Sequence, residues 1–307
     1  MKKTYALLVF VMMMWGFNVS AIKVLVDNVE PILLTSFRIF TAGVVVLILT
    51  YFLGIFRLPN KKELGILLYI AIFNVIVHHS AIAVGLGATS GVNGGLILGM
   101  GPLTTMMLSI IFLGQRMTKF RIIGFILGFI GVVTTTLSGS GGVTSMSFGD
   151  VIVFVGMLVQ AYSFILISKL NPSFDPRLLT GYMLFIGSFH IYIISLFEDS
   201  SLSQLSLLID WQLGSVFLFS AVICTAVGHM VYNSAIKQVG PAESAIFINF
   251  NTMFAIFGSA LFLGETIRVS HLIGLVLIVC GVLIGSGTVE YWKRSLAANR
   301  EVTNKVN

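Results

Sequence analysis

Long apolar runs follow one another through almost the whole chain, separated by short polar connections. An α-helix needs about 20 apolar residues to cross the hydrocarbon core of a bilayer, and it satisfies its own backbone hydrogen bonds where no water is present. Only 10% of the 307 residues are charged, whereas a soluble domain carries about 25% to cover its surface. The runs therefore predict an all-α membrane protein.

Ten of these runs are long enough to cross a membrane. We expect transmembrane helices at 4–23, 32–53, 64–86, 91–113, 119–137, 150–168, 178–197, 213–236, 243–263 and 269–287. The Gly99–Pro102 stretch predicts a kink or a break in the fourth run, because proline cannot donate a backbone hydrogen bond. Glycines four residues apart, Gly124 with Gly128 and Gly281 with Gly285, predict close packing of helix backbones.

The basic residues lie singly or in pairs between the apolar runs, and their distribution predicts an orientation. If the N-terminus is cytoplasmic, 15 of the 18 Lys and Arg residues fall on the inner side, and Lys23 and Arg268 fall on the outer side. Such an inner excess is typical of multi-pass proteins. We therefore expect a cell (plasma) membrane protein with both termini in the cytoplasm. The formal net charge of +6 is explained in this way and does not point to nucleic acid.

The second half of the chain repeats the first at an offset of 150 residues. Segments 112–133 and 262–283 share 8 identities in 22 aligned positions, and the same register places His79 on His229. Each unit holds five predicted spans, and an odd number means that the second unit enters the membrane upside down. Inverted repeats of this kind are typical of transporters that bind their substrate between the halves, near the midplane.

Several short motifs also recur in order along the chain. They are Trp15-Gly16 and Lys23 in the first span, Arg38-Ile39-Phe40 in the second, the glycine-rich run to Pro102 in the fourth, and Phe262–Glu265 followed by Ile273-Gly274. In these motifs the chain resembles the ten-helix EamA-type transporters of the drug/metabolite transporter superfamily. The resemblance implies two EamA-like repeats at 4–137 and 148–287, a Gly/Ser-rich linker at 138–147 and a cytoplasmic tail at 288–307. It also implies a transporter, often an exporter of amino-acid-like or drug-like metabolites.

Arg38 lies within the second predicted span. A charged side chain at the bilayer centre costs about 2.5–3.5 kcal/mol on insertion scales, so it normally faces the bundle interior or a water-filled cavity. Arg38 can bind a solute there, or it can fix the fold by snorkelling outward or by pairing with Asp27 or Glu30. The sequence leaves both interpretations open.

The other polar residues within the spans are candidates for a central binding site. His79 and His229 can bind a solute, carry a proton or hydrogen-bond a neighbouring helix. Glu243 is a second candidate for proton coupling, or it stabilises its helix through the helix dipole. Asn74 and His78, four residues apart, share one helix face. The predicted substrate-binding residues are Trp15, Asn18, Arg38, His79, Asn93, His229, Tyr232, Asn233, Asn249 and Asn251.

Motifs of other function classes are missing from the sequence. It has no GxxxxGK[ST] phosphate loop, so we expect secondary or facilitated transport by alternating access without ATP hydrolysis. It has no HExxH helix, and no enzyme activity is predicted. Cys224 and Cys280 form no motif, and no metal or cofactor is expected. A channel-like pore or a non-transporting receptor is the alternative. The sequence does not assign the substrate, the direction, the coupling ion or the oligomeric state.

Overall fold

The computed structural model describes residues 2–88, 97–138, 147–170, 174–197, 201–264 and 267–285, and within these ranges it contains helices and no β-strand. The α-helices are α1 (Lys2–Val26), α2 (Pro31–Phe52), α3 (Lys61–Ala71), α4 (His78–Gly87), α5 (Gly101–Leu113), α6 (Lys119–Ser138), α7 (Phe148–Ser168), α8 (Pro176–Ser195), α9 (Trp211–Leu218), α10 (Gly228–Val239), α11 (Pro241–Ile246), α12 (Asn249–Leu263) and α13 (Val269–Gly285). Two π-helical segments join neighbouring helices, π1 (Ile72–Val77) between α3 and α4 and π2 (Phe219–Val227) between α9 and α10. A 3-10 helix covers Leu202–Ile209.

These helices lie where the sequence predicts spans. Some parts of the sequence prediction fall outside the described residues. They are the start of the fourth span with Asn93, residues 139–146 of the linker, Glu265 of the Phe262–Glu265 motif, the end of the tenth span at 286–287, and the 288–307 tail.

Within the described residues, seven helical stretches are long and apolar enough to cross a membrane by length and composition. They are Lys3–Val26, Pro31–Phe52, Lys61–Ile82, Phe148–Ser168, Pro176–Ser195, Trp211–Val239 and Pro241–Phe262. Two apolar helices are shorter, Gly101–Leu113 and Val269–Gly285. Large apolar side chains such as Ile111, Leu261 and Val276 are exposed on the outside of the bundle, which is the arrangement that a lipid surrounding requires.

Acidic residues just before a proline set the start of two helices. The carboxylate of Glu30 accepts hydrogen bonds from the backbone nitrogens of Ile32, at 2.8 Å, and Leu33, at 2.6 Å. Asp175 caps α8 by accepting from the backbone nitrogen of Arg177 at 2.8 Å. The Arg177 guanidinium also hydrogen-bonds this carboxylate and lowers its pKa below the ordinary value. Each proline follows at the first helical position, where its missing N–H is not needed.

Glycines bring α6 and α13 into direct backbone contact. A Cβ atom on Gly281 would lie 2.6 Å from the backbone nitrogen of Gly128, and one on Gly131 would lie 2.8 Å from the carbonyl oxygen of Gly274. Any side chain at Gly124 would meet the backbone of Gly285. The close packing predicted for these glycines is thus confirmed, and it holds together one helix from each half of the chain.

Other helices from the two halves also pack directly on each other. The pairs are α2 with α8, α1 with α12 and α4 with α7, while α1 and α2 also contact π2. One apolar core runs between them and includes the fully buried side chains of Met12, Ile39, Leu179 and Tyr232. The first and second halves are therefore interleaved and do not form separate domains.

Besides the two π-helical segments, turns interrupt the fourth and ninth predicted spans within the described residues. Met100 is a turn residue just before α5, as the Gly99–Pro102 stretch predicts. The helix predicted over 243–263 is instead divided into α11 and α12 by a turn at Phe247 and Ile248. Neither residue is a glycine or proline, so the sequence gives no local signal for this second break.

Candidate functional site

Four rings from three helices meet in the middle of the bundle. Trp15 of α1 lies 5.0 Å from His229 and 5.2 Å from Tyr232, both of α10, measured between ring centroids. His79 of α4 lies 6.3 Å from His229 and 4.8 Å from His78. We call Trp15, His79, His229 and Tyr232 the central cluster. The structure thus brings together four of the residues that the sequence predicts to bind substrate.

The π2 segment positions the tryptophan of the central cluster. The indole Nε1 of Trp15 donates to the carbonyl oxygen of Cys224 at 2.8 Å. A Cβ atom on Gly228 would lie 2.6 Å from the same indole nitrogen, so only glycine leaves room for the ring. His229 Nδ1 donates to the carbonyl oxygen of Thr225 at 2.9 Å. A π-helical turn re-aims side chains and backbone groups in this way, and such turns are frequent at functional sites.

Arg38 of α2 is also anchored on π2. It is buried, and its Nη1 donates to Thr225 Oγ1 at 2.8 Å. The Thr225 hydroxyl in turn donates to the carbonyl oxygen of Ser220 at 2.8 Å. The sequence allows Arg38 to fix the fold by pairing with Glu30 or Asp27, and neither pairing is observed. Glu30 instead caps its own helix, and Arg38 extends inward, close enough to interact electrostatically with His79 and His229.

Several buried polar atoms around the central cluster have no protein partner. They include Oδ1 of Asn18, Nε2 of His79 and the hydroxyl of Tyr232. A buried polar group without a hydrogen bond costs about 1–3 kcal/mol, and native proteins satisfy nearly all such groups with protein or ordered water. These atoms therefore form a set of hydrogen-bonding groups available to water or to a bound solute.

The remaining asparagines that the sequence predicts in the site are more scattered. Asn233 Nδ2 donates to Thr180 Oγ1 at 2.9 Å and so ties α10 to α8. Asn249 donates to the carbonyl oxygen of Ile246 at 3.0 Å and packs against Gly128 of α6. Asn251 is partly buried, and its Oδ1 has no partner. The structure does not place Asn249 beside the central cluster.

Glu243 lies in a different polar group, at the ends of α1, α6, α10 and α11. Its carboxylate accepts from Arg121 Nη2 at 2.8 Å and from the hydroxyl of Tyr5. Nearby, Thr4 Oγ1 donates to Gln238 Oε1 at 3.0 Å. We call these five residues the terminal polar network. It joins elements from the two halves of the chain and leaves Glu243 away from the central cluster.

The region before His78 ties α4 to α7. Asn74 Nδ2 donates to Ser163 Oγ at 2.7 Å, and His78 Nδ1 donates to the carbonyl oxygen of Gly156 at 2.9 Å. Both side chains thus serve as links between helices, one of the roles that the sequence allows. Among the described residues, no group of three or more His, Cys, Asp and Glu side chains is arranged to hold a metal ion.

Comparison with known families identifies the family of this chain. The model of the EamA-like transporter family matches the chain twice, over residues 2–137 and 147–286. The chain belongs to the EamA-like transporter family. It is accordingly a multi-pass membrane protein of a transporter family and not of an enzyme family, and the solute of such a transporter is a small molecule.

Relatives of this EamA-like transporter carry transporter names. The Bacillus subtilis (strain 168) protein named uncharacterized transporter YyaM is 30% identical over 253 residues, which cover 81% of this chain and 82% of YyaM. The uncharacterized transporter YetK of the same organism is 24% identical over 285 residues, 91% of this chain and 86% of YetK. The uncharacterized inner membrane transporter YedA of Escherichia coli (strain K12) is 23% identical over 280 residues, 88% and 86% of the two chains.

A solved crystal structure shares the fold of this EamA-like transporter. It superposes with a TM-score of 0.75 over 93% of this chain and 97% of its own length, at 13% sequence identity. At that identity the likeness concerns the path of the chain and not the residues of the site.

Sequence reasoning missed the residues through which the site of this EamA-like transporter is held. Thr225 of π2 contacts Arg38, and Gly228, the first residue of α10, contacts Trp15. A threonine and a glycine in an apolar run are common, and no spacing rule singles them out. The repeat register could have directed attention to Gly228, since it lies opposite His78 at the offset of 150 residues.

Proposed function

We propose that this EamA-like transporter moves small organic metabolites across the plasma membrane by alternating access, as a secondary or facilitated exporter. The observation that carries the proposal is the central cluster, which draws its rings from α1 and α4 in the first half and from α10 in the second. A solute bound there contacts both halves, so movement of one half against the other changes the side from which the site is reached.

The proposed architecture is ten transmembrane helices in two inverted five-helix repeats, 4–137 and 148–287, joined by the 138–147 linker. Four features support it. The family model matches twice, and the offset of 150 residues aligns His79 with His229. The same offset aligns the ends of π1 and π2, Val77 and Val227. The breaks before α5 and α12 also fall near equivalent positions.

The proposed binding site combines ring surfaces with a few polar groups, as small-molecule sites commonly do. Trp15 and Tyr232 form its apolar wall. The polar groups come from Asn18, Arg38, His79, His229 and Asn233, and more distant contributions come from Asn249 and Asn251. Asn93, outside the described residues, stays a candidate from the sequence alone. His79 is the candidate for proton coupling within the site, and Glu243 is the candidate outside it.

We propose that both termini are cytoplasmic, which places the terminal polar network at the cytoplasmic end of the bundle. Thr4, Arg121 and Glu243 each lie at the inner end of a span in this orientation. The network then holds the cytoplasmic entrance closed in the present conformation. Labelling of single cysteines checks the orientation, because Asn60→Cys should be inaccessible from outside the cell and Ser206→Cys should be accessible.

Counterflow in proteoliposomes tests transport itself. Vesicles are loaded with one solute from a panel of amino acids and other organic metabolites, and uptake of the same labelled solute is followed. We expect saturable uptake that is accelerated by solute inside the vesicle. Flux that rises linearly with concentration and shows no acceleration would support a channel-like pore, and absence of flux for the whole panel would favour a receptor.

A further inference from the structure

Arg38 carries a buried charge that no acidic side chain of the described residues balances. Of the Lys and Arg side chains that the structure describes, only Arg38 is buried. A guanidinium presents five N–H donors in a planar fork. Thr225 Oγ1, at 2.8 Å from Nη1, is the one acceptor that the described residues offer to this fork. The remaining donors are available inside the bundle.

The acidic residues of the described ranges are engaged elsewhere. Asp150, the buried carboxylate, forms a capping box with Ser147 at the start of α7. Glu243 pairs with Arg121 in the terminal polar network. No Asp or Glu within the described ranges forms an ion pair with Arg38 or acts on it electrostatically. The histidines within electrostatic range of Arg38 add positive charge or none.

We infer that the solute is a small organic anion whose carboxylate is bound by the guanidinium of Arg38. This inference rests on the proposed function and names its substrate class. The fork of a guanidinium matches the two oxygens of a carboxylate, and a single negative charge balances a single positive one. The apolar body of the anion lies against Trp15 and Tyr232. The unpaired His79 Nε2 and Tyr232 hydroxyl are available to complete its hydrogen bonds.

Binding of four ring-bearing probes tests the inference on the purified full-length protein, by thermal shift in detergent. The probes are benzoate, the neutral benzamide, the cationic benzylamine and phenyl phosphate. We expect benzoate to stabilise the wild type most strongly. Arg38→Gln should weaken benzoate binding by roughly tenfold or more, because a hydrogen bond to a charged group is lost. Benzamide should bind the wild type and Arg38→Gln alike.

The control Arg57→Gln removes an exposed arginine that pairs with Glu63, and it should leave benzoate binding unchanged.

A second variant keeps Arg38 in place, which covers the case in which Arg38→Gln fails to fold. Thr225→Asp puts a carboxylate beside the guanidinium and supplies the missing counter-charge from within the protein. We expect it to abolish benzoate binding, and to bind benzoate far more weakly than Thr225→Asn, which has the same shape but no charge. Equal benzoate binding by the wild type and Thr225→Asp would overturn the inference.

Three further results would also overturn it. They are no stabilisation by benzoate at millimolar concentrations, tighter binding of benzylamine than of benzoate, and tighter binding of phenyl phosphate than of benzoate. The last result would indicate a phosphate group instead of a carboxylate.

The counterflow assay separates this inference from the proposed function. Counterflow of only neutral or cationic solutes would refute the anion and leave transport standing. Benzoate binding that depends on Arg38, with no counterflow of any solute, would support the anion site and refute transport.

Discussion

Thr225 connects the buried charge of Arg38 to the irregular backbone of π2. Its hydroxyl accepts from the guanidinium and donates to the carbonyl oxygen of Ser220, five residues earlier. A regular α-helix directs such a hydroxyl to a carbonyl three or four residues back, so the wider π turn creates this bridge. The neighbouring carbonyl of Cys224 is similarly available to Trp15. The shape of the site therefore depends on the π-helical geometry of π2.

Gly228→Ala tests this dependence. The added Cβ would lie 2.6 Å from Trp15 Nε1, so the indole must move and lose its hydrogen bond to Cys224. We expect a loss of stability of about 1–3 kcal/mol, typical of overpacking, and a loss of transport. The measurements are the Tm of the purified protein and counterflow in proteoliposomes.

Gly65→Ala is the matched control for Gly228→Ala. Gly65 is also helical, but nothing lies within 4 Å of its added Cβ. Alanine there should leave transport unchanged and stabilise the protein slightly, by up to ~1 kcal/mol. If the two variants have the same Tm and the same counterflow, the absence of a side chain at position 228 is not needed to accommodate Trp15.

The residues that the sequence could identify are those whose type is unusual within a membrane span. Arg38, His79, His229 and Trp15 stand out against their apolar surroundings, and the structure brings them near one another. The partners of Arg38 could not be identified, because Thr225 reaches it through a π turn set by tertiary packing. The sequence predicts Asn249 in the same site, but in the structure its side chain packs against Gly128 of α6.

Some features of the helices follow from the local sequence, and others follow from packing between distant parts of the chain. Glu30 and Asp175, each followed by proline, set the starts of α2 and α8 locally, and spaced glycines predict close backbone packing in α6 and α13 without naming the partner helix. The turn at Phe247 and Ile248 and the π segments have no such local signature. These irregular segments lie where the two halves of the chain meet, so long-range packing determines them.

Gly281→Ala tests the contact between α6 and α13. Its Cβ would lie 2.6 Å from the backbone nitrogen of Gly128, and a backbone atom cannot turn aside as a side chain can. The helices must separate, and we expect destabilisation of about 1–3 kcal/mol. Unfolding of the purified protein in detergent measures it.

Gly65→Ala is also the control for the α6–α13 contact, because nothing lies within 4 Å of its added Cβ. The Tm of this variant should stay close to that of the wild type or rise slightly. A Tm for Gly281→Ala equal to that of Gly65→Ala would contradict a role for close backbone approach in this pair.

At the scale of the whole molecule, contacts between the two halves differ along the bundle. The centre holds unpaired polar atoms, whereas the end that carries the N-terminus is joined by an ion pair and several hydrogen bonds. Side chains of Arg121 and Glu243 are mostly shielded, with exposed fractions of 28% and 11%. In alternating access, the contacts that close one end must break when that end opens. The terminal polar network is therefore the contact set that should limit opening on its side.

Locking this end tests the role of the network in transport. Thr4 Oγ1 and Gln238 Oε1 are 3.0 Å apart. Cysteine is shorter than glutamine, so the double variant Thr4→Cys, Gln238→Cys is joined by a short, reducible thiol-reactive linker. Cys280→Ala in the same chain removes the exposed native cysteine, and Cys224 is buried. We expect cross-linking to stop counterflow, because the two halves can no longer separate there, and we expect reduction of the linker to restore it.

Two comparisons decide between a moving gate and a merely structural contact. Each single-cysteine variant treated in the same way should keep its activity, which excludes damage by the reagent. Glu243→Gln removes the charge that pairs with Arg121 and should shift the population toward the state open at this end, so a cysteine at position 4 alone should react faster with a water-soluble maleimide. The change in the equilibrium between the closed and open states can only be as large as the contact energy lost, and coupled pairs of this kind contribute about 0.5–3 kcal/mol.

If cross-linked protein transports at the full rate, this end does not open during the cycle, and the solute must reach the central cluster by a path that leaves the terminal polar network intact.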